Sequence, residues 1–242
     1  MNTSRRRVTI GGIPVEVVRK DIKNLHLGVY PPDGRVRVAV PLTVDDEAVR
    51  LAVIGKLGWI RRQQARFRGQ PRQSEREMVA GESHYYLGRR YRLQVVEAGG
   101  ACRVELRGKT RLNLYARADS TTERRTAALR RWYREQMSAL VPPLVEKWEA
   151  PLGVRVAEWR IRRMKTRWGS CTPAARRIWL NPELVKKPTR CLEYIVVHEM
   201  VHLLERRHGD RFVALMDEYL PQWRVHRDEL NAAPLAQESW DY

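Results

Sequence analysis

Between Arg7 and Val40 apolar and polar residues alternate in short runs, VTIGGIPVEVVRK, HLGVY and RVRVAVP, with the turn sequence PPDG before the last. A period of two puts one face of each run on a core, so this stretch predicts strands in an antiparallel meander. Thr43 and Asp46 have the spacing of a capping box, and a helix is expected from about Val44 to Phe67 despite Gly55 and Gly58. The basic run RRQQARFRGQPRQ ends it and reads as a solvated face and loop. GESHYYLGRRYRLQVVEAG, ACRVELRG and TRLNLYA follow as three or four further strands parted by glycines. His84, among aromatic residues, reads as packing.

The period then changes. Behind a second capping box at Ser120 and Glu123, Leu129, Trp132, Tyr133, Leu140, Leu144 and Trp148 recur at helical spacing. They predict a long helix from about Thr121 to Glu149, kinked or split at Pro142 and Pro143. VRVAEWRIRRMKTRWGSCTPAARRIWLNPELV reads as two strands joined at TPAA, with a short helix after Asn181 and Pro182. Pro188 suits a first helical position, and Leu192, Ile195, Val196 and Leu203 form the apolar stripe of the helix behind it. Phe212, Leu215, Met216 and Tyr219 predict another helix, ended by Pro221, and LPQWRVHRDELN a last short one. The fold class expected is α+β. A β-rich N-terminal domain with one helix would span residues 1–117, and a helical domain with a small antiparallel sheet residues 118–242.

Composition narrows the function. A chain of 242 residues with 43% hydrophobic positions can bury a real core. The start, MNTSRRRVTIGGIPVEVV, has positive charge but no apolar run behind it, and no stretch approaches a membrane span. Cys102, Cys171 and Cys191 are scattered and odd in number, which fits a reducing cytoplasm. The net charge of +18 would attract nucleic acid or another polyanion, although much of it alternates with acids along helix faces. The cluster Arg160, Arg162, Arg163 and Lys165, continued by Arg167, is the candidate polyanion contact.

The chemistry concentrates in YIVVHEMVHLLERRHGDRF, Tyr194 to Phe212. On a helix His198 and His202 lie one turn apart on one face and can converge on one ion, while Glu199 is free to reach a water. Zinc suits imidazole ligands, and a catalytic site keeps a fourth position open. Glu205, His208 and Glu218 are the candidates for the third ligand. Glu205 lies about 10 Å beyond His198 on a straight helix, and His208 closes the site only if the chain turns back after His202, a turn that Gly209 would ease. Ligand type favours His208.

Several blocks in order carry a family resemblance: YLGRRYRL near residue 90, KTRWGSC from Lys165, IWLNPEL from Ile178, HEMVHLLERRH from His198, and DEYLPQWRVHRDELN near the end. Together they make the chain resemble the YgjP-like zinc metallopeptidases, a family related to the SprT-like proteases. The resemblance implies a zincin-like catalytic domain, Zn2+ on His198, His202 and His208, and Glu199 as general base. Trp168, Gly169, Ser170 and Cys171 match a signature of this family. Gly169 would allow a close backbone approach, Ser170 a hydrogen bond to substrate or to a ligand histidine, and Cys171 would close the site if it were a fourth ligand. With Arg167 and Asn181, the residues Trp168, Gly169 and Ser170 are the candidate substrate contacts. The spacing also matches that of metzincins, but Glu205 stands where they have glycine.

The leading expectation is therefore a zinc peptidase acting on peptides or proteins, held along a strand edge beside the metal helix. Two others follow from the arginines: a zinc hydrolase of nucleotide or phosphate esters, and a basic protein that processes proteins bound to DNA or RNA.

Overall fold

The structure is a computed structural model, which describes residues 4–30, 34–69, 76–164 and 167–232. It is a mixed α and β protein whose chain forms two compact units, dividing between Ser74 and Glu75.

In the first unit β1 (Ser4–Ile10), β2 (Ile13–Lys20), β3 (His26–Tyr30) and β4 (Arg35–Pro41) form one sheet in the order β1-β2-β4-β3. This is not the expected antiparallel meander. β2 and β4 run parallel in the centre, each with an antiparallel partner on its outer side, because the chain crosses to the far edge before returning as β4. Of the PPDG turn, Gly34 alone lies within the described residues. Ile13, Val15, Val17, Val36, Val38 and Val40 alternate onto the buried face, covered by Val49, Val53 and Ile60. These come from α1 (Asp46–Ile54) and α2 (Leu57–Gly69), two helices where one was expected. The break follows Gly55, whose N–H closes on the Leu51 carbonyl. The N-cap is Asp45, which accepts from Ala48 N at 2.6 Å, rather than Thr43. The end of the RRQQARFRGQPRQ run, residues 70–73, lies outside the described residues.

The second unit repeats this sheet. β5 (Ser83–Tyr86), β6 (Arg89–Glu97), β7 (Arg103–Arg107) and β8 (Arg111–Ala116) lie in the order β5-β6-β8-β7, again with a parallel central pair. Even the first hairpin turns agree, with positive φ at both Gly11 and Gly12 and at both Leu87 and Gly88. α3 (Thr122–Leu152) covers the second sheet and runs unbroken through Pro142 and Pro143. Buried Met137, Val141 and Val145 anchor both sides of the proline pair. Its N-cap is Thr121, one residue later than expected.

Leu93, Leu112 and Leu114 share one core with Trp132, Met137, Leu180 and Val196, so β5–β8 belong with the helices that follow. The boundary expected at residue 117 falls inside this core. A third sheet has the order β10-β11-β9, from β9 (Glu158–Ile161), β10 (Gly169–Thr172) and β11 (Arg177–Leu180). It was expected as two antiparallel strands and is mixed: β9 pairs parallel to β11, and β10 is an antiparallel edge. α4 (Thr189–Val201) is the central element, with Leu192, Val196, Val197, Met200 and Val201 fully buried. α5 (Asp210–Tyr219) and α6 (Trp223–Ala232) complete the unit.

The β5–β6 turn positions α4. Leu87 N donates to Val185 O at 2.8 Å, and a Cβ on Gly88 would come within 2.8 Å of Pro188, the residue before the helix. Only glycine permits both the φ of 77° and that approach.

Candidate metal centre

α4 carries His198 and Glu199 in its last turn and ends at His202, its C-cap. The chain then turns back. Leu203, Leu204 and Glu205 N–H groups bond to Met200 and Val201 carbonyls, and α5 starts behind Gly209. Gly209 has an extended backbone, so the turn is made before it rather than by it. The reversal brings His208 to the other two: the nitrogens that His198, His202 and His208 offer all lie within 4.8 Å of one another. His198 Nε2 and His208 Nε2 are 3.0 Å apart. His202 Nδ1 is 3.0 Å from Glu205 O, an acceptor that fixes a hydrogen on Nδ1 and leaves Nε2 as the free donor atom.

Electrostatics keeps two of the rings neutral. Burial, with His202 and His208 beside it, pushes His198 down to about 3, and burial also lowers His208. Neutral imidazoles with converging lone pairs are the form that binds a cation. Glu199 is 4% exposed, and burial pushes its carboxyl up to about 8 while Arg167 pulls it down. A divalent cation at the histidines would favour the ionised form further.

The alternative third ligands are engaged elsewhere or lie apart. The Glu205 carboxylate accepts from Arg207 N at 3.0 Å, and Glu218 in α5 is outside the converging group. Cys171 is outside it as well. Burial and the Glu199 carboxylate push its thiol up to about 12, the wrong form for a ligand. Residues 23–233 match the family of the YgjP-like, metallopeptidase domain.

The chain belongs to the YgjP-like metallopeptidase family. As a member of it the protein is a metal-dependent peptidase, with peptides or proteins as substrates. No curated protein matches the chain. Among solved structures it is similar to the metallopeptidase zymogen abylysin of Pyrococcus abyssi, at 22% identity and a TM-score of 0.34, over 36% of this chain and 89% of that one. Among the described residues no helix is long and apolar enough to cross a membrane.

In this YgjP-like peptidase the other expected residues sit as follows. Trp168 is half-buried against the core, with Lys187 Nζ 5.7 Å from its ring centre. Gly169, in β10, lies directly against the Glu199 carboxylate. Ser170 alternates to the opposite face of the sheet. Arg167 is exposed. Asn181 was expected at substrate but is 4% exposed, and its side chain is spent inside the protein. Its Nδ2 donates to Met164 O at 2.6 Å and Arg167 O at 3.0 Å, and its Oδ1 accepts from Glu183 N at 3.2 Å. It ties Met164 and Arg167 together ahead of β10.

Two residues of the basic cluster are engaged within the protein. Arg160 pairs with Glu158, which also takes Arg177; Arg160 and Arg162 flank Trp179, each 5.6 Å from its ring centre. Arg163 is exposed, although partial desolvation still lowers its pKa, and Lys165 lies outside the described residues. Nothing in this arrangement supports a nucleic-acid contact.

Phe212 has the spacing of a helix-stripe residue, yet its ring centre lies 4.9, 4.8 and 4.7 Å from those of His198, His202 and His208. At 2% exposure it is the apolar wall of the histidine cluster. Its place four residues after His208 was the available signal.

Proposed function

We propose that the protein is a zinc peptidase of zincin type, with His198, His202 and His208 as metal ligands and Glu199 as general base. The convergence of three imidazoles within 4.8 Å carries the reading. Their donor set suits zinc, which takes three protein ligands in catalytic sites. A zinc ion held there would act as a Lewis acid on the scissile carbonyl and make a water more acidic.

The chain's own residues supply the rest. Glu199 takes the proton of the attacking water and later delivers it to the leaving amine nitrogen, so the C–N bond breaks without expelling an amide anion. Its burial supports this role, because a shielded carboxyl is a stronger base than one in water. Arg167, exposed and coupled electrostatically to Glu199, is the donor proposed for the substrate carbonyl as charge develops. β10 is the edge of its sheet, where an extended peptide would pair as a further strand.

The test is Glu199→Gln in the full chain, assayed on an unfolded protein substrate. Metal content should stay at the wild-type value while kcat falls by roughly 10²–10⁴-fold. A variant that keeps its activity sinks the assignment.

A further inference from the structure

The signature Trp168–Gly169–Ser170 lies outside the histidine cluster, yet one of its residues touches Glu199. An added Cβ on Gly169 would overlap the Glu199 carboxylate, meeting Glu199 Cγ at 2.7 Å and Cδ at 2.8 Å. Its φ lies outside the left-handed region that favours glycine, so the backbone itself would accept any residue. Space alone demands glycine here.

We infer that Gly169 is a positioning residue: its bare backbone forms the seat of the Glu199 carboxylate. This rests on Glu199 acting as the general base. Two further observations support a fixed seat. Asn181 pins the preceding segment, with its Nδ2 on Met164 O and Arg167 O and its backbone N on Trp168 O at 2.8 Å. β10 is held from the other side by β11, with Gly169 opposite Leu180, itself fully buried. The wall therefore cannot retreat, and the carboxylate must.

A carboxylate at the end of an exposed side chain would swing away from a methyl group at small cost. Glu199 is 4% exposed, so the room to swing is limited and any new position carries it off its line to the water. Misplacement by about 1 Å is enough to cost on the order of 100-fold in rate. The three atoms nearest an added Cβ all belong to Glu199, so the histidines are expected to keep their places.

The experiment is a cycle of Gly169→Ala, Glu199→Ala and the double variant in the full chain, with metal content, unfolding midpoint, kcat and KM measured for each. Gly169→Ala should keep its metal and lose about 100-fold in kcat, with KM changed by less than about twofold. It should also lower the unfolding midpoint in the wild-type background and leave it unchanged in the Glu199→Ala background, where no carboxylate is left to displace. If Gly169→Ala alone does not fold, recovery of folding in the double variant supports the seat. Wild-type kcat in Gly169→Ala, or an equal stability loss in both backgrounds, overturns it, as does a double variant that still fails to fold. The stability cycle does not depend on catalysis, so it separates failure of the seat from failure of Glu199 as base, which Glu199→Gln reports.

Discussion

His198 Nε2 and His208 Nε2 lie 3.0 Å apart, although ten residues and the end of a helix separate them. Two imidazole nitrogens held that close gain nothing from each other beyond one hydrogen bond, and a shared cation is what would reward the arrangement.

Removing His208 should therefore release the metal. His208→Ala is expected to weaken zinc binding by more than about 100-fold, beyond what loss of an outer hydrogen-bond partner costs. Glu205→Ala should keep full metal content, because only the Glu205 backbone oxygen supports His202. Mass-spectrometric metal analysis of the two variants decides it, and loss of zinc in Glu205→Ala instead would move the third ligand there.

Phe212 should matter as much for the site as for the fold. Phe212→Ala opens a cavity against three imidazoles and is expected to cost about 3–5 kcal/mol by denaturant unfolding. Zinc affinity should fall with it, whereas Phe212→Leu should preserve most of both. Undiminished affinity in the alanine variant would show that the ring is only filler.

Asn181 tests the clamp. Asn181→Asp keeps the shape but offers an acceptor to two carbonyl oxygens, leaving Met164 O and Arg167 O without their donor, at a cost of about 1–3 kcal/mol. Peptidase kcat should drop while metal content holds. Equal kcat in wild type and Asn181→Asp would mean that the loop keeps its place without the amide.

His84 predicts an acid sensitivity outside the site. It is 5% exposed, and burial together with Arg76 pushes it down to about 4 against the opposing pull of Glu82. The unfolded chain takes up this proton near pH 6.5 and the folded one only near 4, so the stability tied to the neutral ring is complete above about 6.5 and declines as pH falls towards 4. The loss amounts to about 3 kcal/mol. Unfolding midpoints between pH 7.5 and 4.5 should fall less steeply for His84→Phe than for wild type; parallel curves would refute it.

The clustering of His198, His202 and His208 was legible in the sequence, because helical geometry and ligand chemistry act over a dozen residues. What escaped depends on distant partners. The period of two announced the strands but not that β2 lies parallel to β4, since pairing is chosen across the sheet. Caps moved by one or two residues, to Asp45 and Thr121, because neighbouring Asp, Ser and Thr side chains compete for the same N–H groups. Asn181 looked like a substrate contact because polarity marks both surface sites and buried clamps. Gly169 gave no hint of Glu199, thirty residues on and in another element, which alone explains it.

The two sheets with one topology raise a problem of identity during folding. A strand leaving the ribosome meets two templates of the same order and polarity, and repeated units are prone to exchange such elements. The interiors answer it by calibre. One is lined with valines, Val15, Val17, Val36, Val38 and Val40, and the other with Tyr91, Leu93, Leu112 and Leu114. A strand docked in the wrong sheet would either leave a void or crowd its neighbours, so the size of the buried side chains tells each strand where it belongs.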